Sequence, residues 1–186
     1  MLTEKLKSTG DQPVLLDIDE RIARLTLNRP DKYNTLSESV IQIITDNLND
    51  IAQRKDVHVV IIRSIGKAFS TGHDLKDMHA NNDENYFRLL LTNCSKMMLK
   101  IKTIPQPVIA QVQGIATAAG CQLVAACDLA VASTNAQFAT NGISNGLYCA
   151  TPAVALSRVV SKKHALEMLL TGSFISAQRA AEIGLI

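Results

Sequence analysis

Residues 108–133, VIAQVQGIATAAGCQLVAACDLAVAS, constrain this chain more than any other stretch. Val108, Ile109 and Val112 are β-branched and follow Pro107, which predicts a strand over 108–112. Gly114 permits a turn. Ala118, Ala119 and Gly120 open an almost wholly apolar helix over roughly 119–127, and a second buried strand is expected after it. Small residues at a helix start let another molecule approach the backbone, where the first N–H groups have no acceptor within the helix. Those donors and the positive end of the helix dipole favour negative charge, as a phosphate cradle or an oxyanion hole. The same small residues equally suit a buried helix that only needs close packing.

Strands and helices alternate around this stretch. VLLDI (14–18) and IARLTL (22–27) flank Asp19-Glu20-Arg21 and read as a β-hairpin, ended by Pro30. Thr35 with Glu38 fits a capping box for a helix whose apolar face is Val40, Ile41, Ile44, Leu48 and Ile51. VHVVIIR (57–63) is nearly continuous in apolar character, as in a strand buried on both faces. A helix is expected over about 83–102, with Phe87, Leu90, Leu91, Cys94, Met98 and Ile101 on one face. Residues 137–139 suggest a short strand and 140–149 a loop. Further helices are expected from Thr151-Pro152 to about Val160, over 162–170 before Gly172, and from Ser176 to Gly184. Leu185-Ile186 looks like the start of another strand. The alternation predicts one α/β domain over 14–186 behind an N-terminal tail, 1–13.

Two loops leave buried strands: 66–76, GKAFSTGHDLK, and 113–120. Strand ends are where α/β folds place their sites, and 78–83, MHANND, is expected to be mobile. Net charge is +2 with no basic run, which argues against nucleic acid. Asp128 interrupts the apolar run at 123–132, so no stretch reaches transmembrane length and no membrane partner is expected. Cys94, Cys121, Cys127 and Cys149 form no C-x-x-C pair, and two of them lie in an apolar stretch. That predicts reduced, buried thiols in an intracellular protein. MLTEKLKSTG has no arginine and carries Glu4, so it resembles neither a secretory signal nor a transit peptide.

Five blocks, in order, resemble the enoyl-CoA hydratase/isomerase, or crotonase, superfamily. They are NRPDKYNTLS (28–37), AFSTGHDLK (68–76), PVIAQVQGIATAAGCQLVAACDLAVAS (107–133), QFAT (137–140) and ALEMLLTGSFISAQRAAEIGLI (165–186). Within the superfamily the wording most resembles the enoyl-CoA hydratase domain-containing protein 3 group. The resemblance implies a crotonase (ClpP-like) spiral of ββα units, assembled as trimers or hexamers, with the C-terminal helical part apparently missing here. It implies an acyl-CoA thioester as ligand, with coenzyme A entering as part of the substrate and no separate cofactor or metal. The thioester carbonyl is then expected between the backbone N–H groups of His73 and Ala119. The resemblance aims Lys76 at the CoA phosphates and lines the path to the adenine end with Lys32, Tyr33, Asp74 and Leu75.

Hydratases of this family use two glutamates to move water and a proton. Gln122 and Gly142 stand at those positions, so ordinary hydration is expected to be weak or absent. Asp128, expected on the same helix six residues past Gln122, reads as structural. His73 could act as an acid or base, or point to solvent or a CoA phosphate. Cys121 and Cys149 could be nucleophiles but lack a charged neighbour in sequence, which favours buried thiols. Tyr148 could donate a hydrogen bond in the pocket or pack in the core. Met97 and Met98 suit a core face, and Lys162-Lys163 a solvated helix end. Two readings follow. One is an atypical hydratase/lyase of fatty-acid metabolism in which Gln122 orients water or substrate. The other is a non-catalytic acyl-CoA-binding regulatory protein. The resemblance suggests the mitochondrion, and the N-terminal sequence leaves the cytoplasm open.

Overall fold

The computed structural model describes residues 12–186. The expected tail thus lies outside the described residues except for Gln12 and Pro13, as does the segment read for targeting signals.

The hairpin is β1 (Val14–Asp19) and β2 (Ile22–Leu27), joined through Glu20 at φ 48° and Arg21 at φ 69°. Two left-handed residues in a two-residue loop match the twist of the flanking strands. Then follow α1 (Glu38–Ala52), β3 (Val59–Ser64), β4 (Ala68–Ser70), α2 (Leu75–Ala80) and α3 (Glu84–Thr103). Next come β5 (Val108–Val112), β6 (Ile115–Thr117), α4 (Ala119–Ala126), β7 (Leu129–Ala132) and β8 (Gln137–Ala139). The remainder is α5 (Ala150–Val159), α6 (Lys162–Thr171), β9 (Ile175–Ser176) and α7 (Ala177–Glu182).

The strands divide between two sheets. One runs β1-β2-β3-β5-β7, parallel from β2 onward, and the other runs β4-β6-β8-β9, parallel except at β9. From β3 onward each unit sends one strand to each sheet and then a helix: β3, β4, α2–α3; β5, β6, α4; β7, β8, α5. This is the expected ββα spiral. All eight residues of α4 are buried, and α4 packs against β4, β5, β6, α3 and α5. An apolar helix can lie there because strands and helices cover it on every side.

Several expectations change, each for a local reason. Ser37, not Thr35, caps α1: its Oγ accepts the Val40 N–H, while Thr35 Oγ1 donates to Asp74. β3 alternates instead of being buried on both faces, because its second face carries Arg63, whose Nε donates to Thr26 Oγ1 at 2.9 Å. The loop 66–76 contains β4, and the segment expected to be mobile is helical as far as Ala80. The buried face of α3 is Leu90, Cys94, Met97, Met98 and Ile101, which leaves Leu91 exposed and Phe87 half-buried. The expected second buried strand, β7, pairs only with β5 and leaves Leu129 and Val131 exposed, because it forms the sheet edge. Within 140–149 a 3₁₀ turn spans Asn141–Asn145. Leu185 does not start a strand: its N–H donates to Ala180 O and that of Gly184 to Ala181 O, closing α7 with a Schellman motif.

Candidate functional site

The first loop is held in shape by the segment before α1. Asn34 is buried at φ 54°; its Oδ1 accepts the Arg29 N–H, and its Nδ2 donates to the carbonyls of Ile65 and Ala68, all at 2.8 Å. The Thr71 N–H donates to Tyr33 O at 3.2 Å, and the Leu36 N–H to Gly72 O at 2.8 Å. Residues 33–36 therefore strap the chain leaving β4.

That loop meets the start of α4 at two glycines. Gly72 has φ +85°, and a Cβ on it would lie 3.0 Å from the Ala119 nitrogen and from the Ala118 Cβ. A Cβ on Gly120 would run into the carbonyl of Ser70. Only glycine at both positions lets the two backbones close on each other. Between them Ala118 caps α4 at φ 50°, ψ −121°, a region that costs a residue with a Cβ about 1–3 kcal/mol. Its own N–H donates to Ala139 O at 3.0 Å. Ala119 is the first residue of α4, so its N–H has no intrahelical acceptor. No acceptor among the described residues takes the His73 N–H.

Both loops open onto one cavity of about 780 Å³. Lys32, Tyr33, His73, Asp74, Leu75 and Lys76 border it from one side, Ala119 and Gly142 from the other. Tyr33, Leu75 and Lys76 are exposed. Asp74 is buried and caps α2, its Oδ1 accepting the N–H groups of Lys76 and Asp77. Sequence reasoning missed much of the apolar wall: Met78, Leu91, Ile115, Leu147 and Phe174. They come from α2, α3, β6 and two connections, and no shared spacing betrays them. Leu91 alone left a signal, as an apolar residue beside the face of α3 that is buried.

His73 does not point to solvent or a phosphate. Its Nδ1 lies 3.2 Å from Leu36 O, and its Nε2 is buried without a partner among the described residues. Burial pushes its pKa below the usual histidine value. The ring is neutral, with its proton on Nδ1 donating to Leu36 O.

The two family acid positions behave differently from the donor loops. Gln122 is 5% exposed and does not border the cavity, and its Oε1 has no partner among the described residues. Gly142 does border the cavity, but a Cβ on it would lie 2.5 Å from Leu147 O and 2.8 Å from Cys149 Sγ. Tyr148 is 49% exposed and lines the cavity, which removes the core-packing alternative.

Burial pushes the thiols of Cys94, Cys121 and Cys127 up to about 12, so all three stay protonated at neutral pH. Cys149, at the cavity wall, is raised by burial against an opposing hydrogen bond from Gly142. Asp128 lies one residue beyond the C-cap of α4, not on the helix. There it accepts the Val108 N–H at 2.8 Å and pairs with Lys102 at 3.4 Å, a structural role. Met97 and Met98 are core residues, and Lys162 and Lys163 are exposed.

Comparison with known proteins places this geometry in a family. The family model described as Enoyl-CoA hydratase/isomerase matches residues 17–186. A Danio rerio relative, "Enoyl-CoA hydratase domain-containing protein 3, mitochondrial", is 44% identical over all of this chain and 65% of its own length. A solved enoyl-CoA hydratase from Mycobacterium smegmatis is 50% identical, with a TM-score of 0.93 over 95% of this chain and 69% of that one. The solved human enoyl-CoA hydratase domain-containing protein 3 is 46% identical, with a TM-score of 0.91 over 94% of this chain and 69% of that one. The chain spans 65%, 58% and 55% of three curated relatives of that name, from Danio rerio, Xenopus laevis and Rattus norvegicus. Sequence blocks, ββα topology and overall superposition agree: the chain belongs to the enoyl-CoA hydratase/isomerase, or crotonase, family.

Proposed function

We propose that the chain binds acyl thioesters of coenzyme A in the 780 Å³ cavity and polarises the thioester carbonyl between the N–H groups of His73 and Ala119. One observation supports this reading: Gly72 packs so closely on the Ala119 nitrogen that the loop carrying His73 meets the start of α4 beside a cavity that both residues border. A backbone N–H is available whatever side chain its residue carries. An oxyanion-hole donor is worth roughly 10²–10³ in rate where negative charge develops on the oxygen. Lys32 and Lys76 supply positive charge at the cavity mouth for CoA phosphates, with Tyr33, Asp74 and Leu75 beside them.

Hydration also needs a base for water and an acid for the α-carbon. Gln122 cannot exchange protons and Gly142 has no side chain, and losing such groups costs roughly 10²–10⁴ in rate. The first reading is an enzyme of the hydratase/lyase class of fatty-acid metabolism acting by an atypical route. Gln122, which does not border the cavity, would not touch water or substrate there, so it does not take the orienting role expected of it. A second reading is favoured by the crowding at Gly142: a non-catalytic acyl-CoA-binding regulatory protein. Assembly into trimers or hexamers, where the C-terminal helical part is present, and residence in the mitochondrion belong to the same proposal. The latter is supported by relatives named mitochondrial, while the cytoplasm is the alternative.

Calorimetry with acetyl-CoA should give saturable binding. Crotonyl-CoA, followed by loss of its enoyl absorbance, should show hydration at least about 10²-fold below a two-glutamate hydratase. No binding would reject both readings, and full-rate hydration would reject the claim that the missing acids matter.

A further inference from the structure

The His73 side chain is unexplained by a carbonyl site that uses only the residue's backbone. Its surroundings give it a task. Leu36 and the loop are joined by two hydrogen bonds in opposite directions: the Leu36 N–H donates to Gly72 O at 2.8 Å, and His73 Nδ1 donates to Leu36 O at 3.2 Å. The pair brackets the peptide unit between Gly72 and His73, whose carbonyl is Gly72 O and whose N–H is that of His73. A peptide unit is rigid and planar, so fixing its carbonyl and the side chain beyond it fixes where its N–H points. The strand-like contact of 33–36 is itself fixed by Asn34, which bonds Arg29, Ile65 and Ala68. Nε2 is buried and has no partner among the described residues, so the Nδ1 bond to Leu36 is the ring's one hydrogen bond there.

We propose that His73 is a positioning residue: its imidazole, bonded to the Leu36 carbonyl, aims its own backbone N–H at the thioester oxygen. This inference rests on the carbonyl-binding reading above. A neighbouring loop residue without a donor would leave the Gly72–His73 peptide held at its carbonyl end only. The peptide could then rotate, and a preorganised donor would become one that must be ordered at each binding event.

The test uses acetyl-CoA labelled with ¹³C at the thioester carbonyl, at saturation, and reads the carbonyl stretch by isotope-edited infrared spectroscopy. Donors at the oxygen lower this frequency. His73→Asn keeps an amide donor near the Nδ1 position, and His73→Leu fills similar space without one. The native protein and H73N should show the low-frequency band, while H73L should lose at least about half of the shift. Folding of both variants is checked by circular dichroism, and the apolar H73L suits a buried site. A full shift in H73L, or loss of the shift in H73N, overturns the positioning role while leaving the carbonyl site standing. A native protein that binds acetyl-CoA without any shift overturns the carbonyl site, and this inference with it.

Discussion

The two walls of the cavity use glycine to different ends. Where the first loop meets α4, Gly72 and Gly120 let the two backbones pack on each other, and their neighbours His73 and Ala119 border the cavity. In the 140–149 loop Gly142 itself borders the cavity, and the place of a side chain on it is taken by Leu147 O and Cys149 Sγ. The same residue type thus brings residues with backbone N–H groups to one wall and leaves no room for a carboxylate at the other. Backbone donors survive change in side chains, whereas an acid needs both its carboxylate and room for it. A chain of this family can therefore keep the first and lose the second.

The largest test of this contrast is Gly120→Ala. Its Cβ would meet the Ser70 carbonyl, which is backbone and cannot swing away. Unfolding in urea should show a loss of about 3 kcal/mol, at the upper end for overpacking. A loss near zero would mean that the donor wall is not closely packed.

Restoring the acids probes the opposite wall. In Gln122→Glu/Gly142→Glu, the new side chain at 142 should cost about 1–3 kcal/mol of stability and give no recovery of crotonyl-CoA hydration. Hydration rising toward that of a two-glutamate enzyme would show that the 140–149 loop yields easily and that the two walls are not different in kind.

A smaller effect follows from pH. The neutral His73 ring is favoured in the fold, so its pKa there lies below the ordinary value of 6.5. Below that value the unfolded chain binds a proton that the folded chain does not, so stability falls as pH falls. The contribution is present above pH 6.5 and is lost progressively as pH drops toward the depressed folded value. Thermal melts between pH 7.5 and 5.5 should show this decline, and His73→Leu should flatten it. An identical slope in the variant would place the titration elsewhere.

Much of this architecture is legible in the sequence. The hairpin, the helix faces and the apolar 108–133 stretch follow from periodicity and turn residues, and the family blocks supply the topology that joins them. The burial of β7 could not be read, because its apolar Leu-Ala-Val-Ala suits an edge strand and a central strand alike. Thr35 mimicked a cap because its hydroxyl is needed 39 residues away, at Asp74. Of the site, the start of α4 was readable from its small residues, while His73 and Ala119 as the proposed donors came from the family resemblance. The orientation of His73 was not, since its acceptor is a backbone carbonyl at Leu36, and any residue there would supply one. Nor could the sequence show that Gly142 is crowded, because that depends on how the next seven residues fold back.

The central claim is that two backbone donors converge on one thioester oxygen. A crystal structure with acetyl-CoA bound tests it most directly. The account predicts the carbonyl oxygen at about 2.7–3.1 Å from both the His73 and Ala119 nitrogens. An ordered thioester whose oxygen contacts neither nitrogen would contradict it.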